Sequence, residues 1–309
     1  MTTRISNFTR ALNSGRLVVT AECLPPRGSD GEAVRNFSDS LPKNLDAVVV
    51  ADNPDAIRSS ALSAASLMRK SGRESVILAM NTRDRNRLAL MSDALGAAAL
   101  GVSAILCVTG NHQSIDICPQ AGSANDLDSV QFIQALKNMI LHGTGLGGNK
   151  LDPKPNLQVG AIAHPFMLPL GLNMLRMKKK VLAGADFLIT QAVFDFDVFE
   201  KWMDAMRQAG FDKRVAIIPS VLALEDATEA KELQERGIYG PISDETVKRI
   251  QEAANPEDEG IAIASETAAK LKGLPGVRGI HILNSGRASL VADVIKRAGI
   301  GFENLCTVT

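Results

Sequence analysis

Eight short apolar segments alternate with longer amphipathic segments along this chain of 309 residues. The apolar segments are nearly continuous in apolar side chains, which is typical of strands buried on both faces of a parallel sheet. The predicted strands are 17–21, 47–51, 75–80, 104–108, 158–163, 187–190, 215–219 and 279–283. The helices predicted between them are 54–70, 85–99, 126–141, 172–183, 196–209, 226–236 and 288–298.

This alternation predicts an α/β fold, a (β/α)8 or TIM barrel, for which about 250 residues are typical. An open doubly wound sheet is the alternative. Its dinucleotide-binding form would require a glycine-rich turn after the first strand, where this chain instead reads ECLPPRGSDG. We therefore predict a single barrel domain over residues 1–309, with a charged helical insertion near 241–271.

A GxGxxG pattern occurs at Gly143, Gly145 and Gly148. It follows a predicted helix and runs into Pro153 and Pro155, whereas a phosphate-binding motif follows a strand and opens a helix. We interpret it as a loop that joins the helix after the fourth predicted strand to the fifth strand, and as a candidate lid.

Composition excludes several classes of function. Acidic and basic residues are equal in number, 34 each, so no general attraction to nucleic acid or anionic lipid is expected. No apolar run reaches the roughly 18 residues of a membrane helix, and the N-terminus lacks the apolar core of a signal peptide. The four cysteines form no CxxC pair, which is consistent with a reducing cytoplasm.

Metal-dependent and serine-dependent hydrolysis lack their usual motifs. The four histidines, His112, His142, His164 and His281, are scattered, and no HExxH or GxSxG motif is present. We expect no metal site.

Polar residues follow the predicted strands where each one ends. Because the loops after the strands build the active face of a barrel, these residues are expected to meet. They are Glu22, Asp52, Asn53, Asn81, Thr82, Arg83, Thr109, Gly110, Asn111, His112, His164, Thr190, Gln191, Ser220, Asn284, Ser285 and Arg287. Amides and hydroxyls predict a site for a polar, planar ligand that forms many hydrogen bonds.

Several segments carry a family resemblance in their order and spacing: ECLPPR, VADNP, NTRDRNR, CVTGNHQ, VGAIAHPF, RMKKKVLAGADFLITQAVFD and HILNSGRA. With them, nearly the whole chain resembles the methylenetetrahydrofolate reductases, flavin-dependent barrels. The resemblance implies bound FAD and reduction of 5,10-methylenetetrahydrofolate to 5-methyltetrahydrofolate, a folate. It also implies NADH or NADPH as a candidate reductant, a homo-oligomer, and an electron-donor partner protein as an alternative source of electrons.

By this resemblance Glu22 matches the family's general acid. The imidazolidine ring of the substrate opens to an N5 iminium only when N10 receives a proton, and a carboxylic acid beside apolar neighbours can keep the raised pKa that this task needs. The alternative is an ordinary carboxylate at the barrel mouth that pairs with Arg27.

The resemblance also assigns substrate contacts. Gln191 matches a residue that hydrogen-bonds the pterin, and its alternative role is to cap the next helix. Arg287 matches an arginine near the glutamate end of folate, where a guanidinium can hold a carboxylate. Glu229 stands where the family often has a glutamine, and Asn111 stands where the better-known enzymes have an aspartate.

The cofactor contacts implied in the same way are Thr82, Thr109, Gly110, Asn111, His164, Arg176, Lys179 and Lys180. Lys180 matches a lysine near the FAD phosphates, whereas Lys178 is more typical of a solvated basic face. Two alternatives stay open at this point. One is a flavoprotein that needs a partner protein or a donor other than NADH; the other is a flavin-free folate-binding barrel.

Overall fold

The computed structural model describes residues 5–111, 118, 120–237 and 239–301. Eight parallel strands close into a barrel in chain order, which confirms the predicted (β/α)8 fold. All eight predicted strands are present, and three of them have the predicted bounds. The strands are β1 (Val18–Cys23), β2 (Ala47–Val50), β3 (Val76–Asn81), β4 (Ala104–Val108), β5 (Gln158–Ala163), β6 (Phe187–Ala192), β7 (Ala216–Leu222) and β8 (Gly279–Leu283).

Helices follow the strands and cover the outside of the barrel. They are α1 (Asn7–Ser14), α2 (Gly31–Ser40), α3 (Ala61–Lys70), α4 (Arg87–Ala99), α5 (Ser129–His142), α6 (Leu170–Ala183), α7 (Phe196–Gln208), α8 (Ala227–Arg236), α9 (Asp244–Gln251), α10 (Pro256–Leu271) and α11 (Ser289–Arg297). Helices α1 and α2 were not predicted from the sequence. Each buries only two residues along its length, too few for a clear apolar period.

The first helix closes the floor of the barrel. Phe8 of α1 is fully buried and meets the ring of Phe187 edge to face, with the ring centroids 5.0 Å apart. Such a pair contributes roughly 0.5–1.5 kcal/mol beyond its buried area. Gly160 makes room for the Phe187 ring, because a Cβ at that position would lie 2.3 Å from it.

Three helices connect β7 to β8. The predicted insertion, 241–271, contains α9 and α10. Helix α10 packs against β7 and α11, which is the position of a regular outer helix of the barrel. Helices α8 and α9 pack against each other and are the additional elements of this connection.

The helix predicted over 54–70 begins only at Ala61. Residues 54–60 form a loop instead, because polar side chains hold its backbone in another shape. Asn53 Oδ1 accepts a hydrogen bond from the Arg58 amide at 2.9 Å, and Ser59 Oγ donates to the Gly28 carbonyl at 2.5 Å. Such local side-chain bonds compete with helix formation.

The glycine-rich segment at 143–148 lies between α5 and β5, at the end of the barrel where strands begin. Gly143 ends α5 in the left-handed conformation, with φ at 62°, and Thr144 bridges to Lys150 across a tight turn. This loop is at the opposite end from the strand tips, so the prediction that it is a lid is wrong. Within the described ranges, no helix is both long and apolar enough to cross a membrane.

Candidate active site

The carboxyl ends of the strands surround a cavity of about 240 Å³. Seven of the residues that the family resemblance assigns to the site line it: Glu22, Thr109, Gly110, Asn111, His164, Lys180 and Gln191. Six further residues predicted from the strand tips also line it: Asp52, Asn53, Asn81, Arg83, Thr190 and Ser220. Every strand contributes to its wall, either through its own side chains or through the residue that follows it. The closed barrel thus brings together side chains that are far apart in the sequence, such as Glu22 and Gln191, which are separated by 169 positions.

Glu22 is one of two buried carboxyl groups that line this cavity; the other, Asp52, is paired with Arg85 at 2.7 Å. Glu22 points inward from β1 and is only 8% exposed. Burial is the main cause that raises its pKa to about 7, and the nearby Asp55 carboxylate raises it further, against the opposing effect of Arg58. Near neutral pH, Glu22 can therefore both hold and release a proton, as a general acid must.

The loop at 54–60 supplies two charged neighbours of Glu22. Arg58 donates from Nε and Nη2 to the two carboxylate oxygens of Asp55, at 2.7 and 2.9 Å, and from Nη1 to the Pro25 carbonyl at 2.7 Å. The exposed Arg27 also pairs with Asp55, at 3.3 Å. The alternative in which Glu22 pairs with Arg27 is therefore wrong, because the partner of Arg27 is Asp55.

Across the cavity, β5 and β6 present an imidazole and an amide. The side chains of His164 and Gln191 are hydrogen-bonded to each other. Burial and the positive charge of Lys180 lower the pKa of His164 to about 4, so this imidazole is neutral at physiological pH. Gln191 does not cap the next helix, which was its alternative role. The cap of α7 is Asp195, whose carboxylate accepts a hydrogen bond from the Val198 amide.

Lys180 extends from α6 into the cavity wall. Its Nζ donates to the Ile162 carbonyl at 2.5 Å, and burial lowers its pKa to about 8. Within the part of the chain that the structure describes, no carboxylate lies within ion-pair distance of this ammonium group. A buried cation without a paired anion suits an anionic ligand, so the residues present fit a phosphate-bearing cofactor.

The loop after β4 forms another side of the cavity. Thr109 Oγ1 donates to Ser129 Oγ, the first residue of α5, at 3.1 Å. Gly110 has a φ of 84°, and a Cβ there would lie 3.0 Å from the Cβ of Arg83, so a larger residue is disfavoured. Arg83 Nη1 donates to the Asn111 carbonyl at 3.3 Å, which ties this loop to β3. His112 lies outside the described residues.

The other site residues assigned by the family resemblance do not line the cavity. Thr82 is buried behind it, with its amide donating to the Val108 carbonyl at 2.9 Å. Lys179 and Arg176 are on the exposed face of α6. Arg287 and Glu229 lie together in a separate cluster.

That cluster surrounds Arg287 with carboxylates. Its guanidinium lies 3.3 Å from Glu257, 3.6 Å from Glu229 and 3.9 Å from Glu225, and Nη2 also donates to the Ala223 carbonyl at 2.9 Å. The side chain is 18% exposed. The positive charge of Arg287 is therefore already compensated within the protein.

The sequence analysis missed several residues of the site. Asp55 and Arg58 were assigned to a helix. Tyr239 lines the cavity from the segment between α8 and α9, and it is the only tyrosine of the chain. His281 of β8 also lines it, and its Nδ1 is 2.9 Å from Thr20 Oγ1. The available signals were the single tyrosine, which lies between Gly237 and Gly240, and the polar residues within β1 and β8.

Comparison with known proteins places the chain in a family. The family description "Methylenetetrahydrofolate reductase" matches residues 7–299. The chain belongs to the methylenetetrahydrofolate reductase family. The match covers all eight strands of the barrel and the loops that line the cavity, which agrees with the resemblance read from the sequence motifs.

Three curated members of this family show the extent of the similarity. Methylenetetrahydrofolate reductase 1 of Schizosaccharomyces pombe is 27% identical over 139 residues, which are 44% of this chain and 23% of that protein. The 5,10-methylenetetrahydrofolate reductase of Salmonella typhimurium is 27% identical over 148 residues, 44% of this chain and 46% of that protein. The probable NADPH enzyme of Caenorhabditis elegans is 23% identical over 253 residues, 80% of this chain and 36% of that protein. The chain thus spans less than half the length of each.

Solved structures share the fold at low sequence identity. An uncharacterized Clostridium thermocellum protein that binds two copies of 5-methyl-5,6,7,8-tetrahydrofolic acid superposes with a TM-score of 0.68 at 14% identity, over 94% of this chain and 99% of that one. A 2,3-dimethylmalate lyase gives a TM-score of 0.52 at 14% identity, over 96% of this chain and 86% of that one. At these identities the likeness shows the barrel fold alone.

Proposed function

We propose that this chain catalyses the FAD-dependent reduction of 5,10-methylenetetrahydrofolate to 5-methyltetrahydrofolate, with Glu22 as the general acid. The observation that carries the proposal is a buried carboxyl group with a pKa of about 7 inside the cavity at the carboxyl ends of the strands, in a barrel of this family. The names of the curated relatives and the methyltetrahydrofolate bound by the Clostridium barrel support the choice of substrate.

The residues divide the task as follows. Glu22 in its protonated form gives its proton to N10 of the substrate, the C–N10 bond of the imidazolidine ring breaks, and the methylene carbon becomes an iminium with N5. Gln191 offers an amide donor and acceptor to the pterin edge, and the neutral His164 fixes the orientation of that amide. Arrangement of the reacting groups by fixed neighbours reduces the entropic part of the barrier.

Bound FAD, once reduced by an electron donor, would supply the hydride that the iminium carbon accepts and would return to its oxidised form. We propose that Lys180 holds an anionic part of this cofactor from the cavity wall, with Arg176 and Lys179 adding positive charge on the outer face of α6. Thr82, Thr109, Gly110, Asn111 and His164 are proposed to contact the remainder. The identity of the reductant, NADH or NADPH, remains a prediction from the family resemblance.

Arg287 and Glu229 remain proposed substrate contacts at the rim. The compensation of Arg287 by three glutamates implies that a carboxylate of the folate tail must compete with Glu229 and Glu257 for the guanidinium. We therefore propose a weaker contribution of Arg287 to folate affinity than an uncompensated arginine would make.

Association with a second copy or with an electron-donor protein stays a prediction. One feature is compatible with either partner. The β5–α6 loop and α6 expose Leu168, Leu172, Leu175 and Leu182, which are between 47% and 78% exposed. Light scattering of the purified chain, alone and after cross-linking, would determine whether it forms homo-oligomers.

The visible absorption spectrum of the purified protein tests the proposed function. A flavin spectrum, bleached anaerobically by methyltetrahydrofolate in one sample and by NADH or NADPH in parallel samples, is the expected result. Glu22→Gln should still bind FAD but should lose folate-driven bleaching. A colourless protein that does not take up added FAD would overturn the proposal and favour a flavin-free folate-binding barrel. Bleaching by folate without any response to NADH or NADPH would indicate another electron donor.

A further inference from the structure

Tyr239 occupies a defined position at the mouth of the barrel. It lines the same cavity as Glu22 and packs against the apolar cluster formed by the tips of β6, β7 and β8, which includes Ala192, Leu222 and Leu283. As the single tyrosine of the chain, it places the only phenol group of the protein in the candidate site.

Gly240 fixes this position from the next residue. Its φ is 125°, a value that side chains rarely adopt, and a Cβ there would lie 2.4 Å from the Ala192 carbonyl oxygen. The backbone after Tyr239 is thus seated directly on the tip of β6, one residue beyond Gln191. Only glycine permits this close approach.

The phenol hydroxyl is available to a ligand. Among the described residues it has no hydrogen-bond partner. Burial raises the pKa of Tyr239, and the neighbouring carboxyls of Glu22 and Asp55 raise it further, so the hydroxyl is protonated and can donate. Tyr239 is only partly buried and its hydroxyl is accessible from the cavity, so a bound ligand can take the place of water as its hydrogen-bond partner.

We propose that Tyr239 covers the carboxyl group of Glu22 from solvent and donates a hydrogen bond to the bound folate. The second part rests on the proposed function; the first does not. The charged and titratable neighbours of Glu22 are then Asp55 and Arg58 from the β2–α3 loop and Tyr239 from the α8–α9 segment. The other charged or histidine side chains of the cavity wall are Asp52, Arg83, His164, Lys180 and His281. The ion pair controls the charge around Glu22, and the tyrosine ring limits its access to water.

Because Tyr239 is unique, fluorine labelling gives a direct test. The FAD-supplemented full chain would be produced with 3-fluorotyrosine, which yields one ¹⁹F resonance. Without folate, we expect this resonance to shift as the pH passes through about 7, where Glu22 ionises, and we expect the shift to disappear in Glu22→Gln. With methyltetrahydrofolate, we expect a second shift that saturates with binding.

Three variants distinguish the two proposed roles of Tyr239, which are shielding Glu22 from water and donating a hydrogen bond to folate. Tyr239→Phe keeps the ring and loses the hydroxyl, so methyltetrahydrofolate should bind about 3- to 10-fold more weakly, as expected for one lost hydrogen bond, while the pH dependence of folate-driven flavin bleaching stays unchanged. Tyr239→Leu loses the ring as well, and the pH profile should move toward lower pH because water reaches Glu22. Gly240→Ala, which touches no cavity side chain, should displace the ring and shift the profile in the same direction.

A ¹⁹F resonance that moves neither with Glu22 ionisation nor with folate would overturn the inference, as would Tyr239→Phe binding folate as tightly as the natural chain. Failure of the proposed function is a different outcome: the natural chain would show no folate binding and no bleaching. In that case the pH titration of the ¹⁹F resonance still decides whether Tyr239 covers Glu22.

Discussion

Arg58 binds both carboxylate oxygens of Asp55, at 2.7 and 2.9 Å, on the loop beside Glu22. The two partners act on Glu22 in opposite directions, since the anion raises its pKa and the cation lowers it. Burial chiefly raises the pKa of the candidate general acid, and the loop adjusts that pKa through a balance of two charges.

Removing the anion and removing the cation of this pair should shift the pH profile of flavin bleaching in opposite directions. Asp55→Asn removes the anion and should lower the pKa of Glu22, whereas Arg58→Gln removes the cation and should raise it. The measurement is the pH dependence of flavin bleaching by methyltetrahydrofolate. A merely structural loop would give shifts of the same sign in both variants, or loss of folding in both.

Glu22 should also make stability depend on pH. Its folded-state pKa is raised from 4.5 to about 7, so its favourable contribution is complete below about pH 4.5 and is lost as the pH rises through 7. Glu22→Gln should therefore be as stable as the natural chain at pH 5 and more stable at pH 9, by up to about 3 kcal/mol. Urea unfolding at the two pH values tests this, and an equal stability difference at both would contradict it.

Lys180 should contribute to FAD affinity through its uncompensated charge. Replacement by glutamine should weaken FAD binding about 10-fold or more, the usual size of a lost charge-assisted hydrogen bond. Lys178→Gln on the exposed face of the same helix is the matched control and should leave the affinity unchanged. Fluorescence titration of the apoprotein with FAD measures both, and equal effects would assign Lys180 a structural role.

Asn111 should affect the reduction potential of bound flavin. Asn111→Asp adds an anion to the cavity wall, and this charge should disfavour the reduced, anionic flavin and lower the potential. Asn138→Asp, an exposed change on α5, is the control. A spectroelectrochemical titration with an unchanged or higher potential for Asn111→Asp would refute the idea.

Gly160 should be essential for packing of the barrel interior. An alanine Cβ there would lie 2.3 Å from the Phe187 ring, and movement of this fully buried ring is limited because Phe8 packs against it. Gly160→Ala should reduce the free energy of unfolding by about 1–3 kcal/mol or more. Gly171→Ala on α6, where nothing lies within 4 Å of the added carbon, should be neutral or stabilising by up to about 1 kcal/mol. Thermal unfolding of both variants provides the comparison.

The sequence by itself determined the architecture of this protein. Strand and helix periods are local properties, so eight apolar segments were sufficient to predict the barrel, and the rule that strand tips form the active face correctly grouped Glu22, Asn111 and Gln191. The family motifs were readable for the same reason, because they are short and contiguous.

Only the tertiary structure decided the surroundings of Glu22. Residues 54–60 have a helix-like sequence pattern, yet hydrogen bonds of the Asn53 and Arg58 side chains hold them as a loop. The effect of this loop on Glu22 depends on contacts between side chains, which the spacing of apolar residues in the sequence does not predict. Tyr239 lines the same cavity as Glu22 from 217 positions away, and Arg287 is enclosed by glutamates from two separate segments, the start of α8 and α10. Charge balance and access to water depend on distances between side chains, and the closed barrel sets those distances.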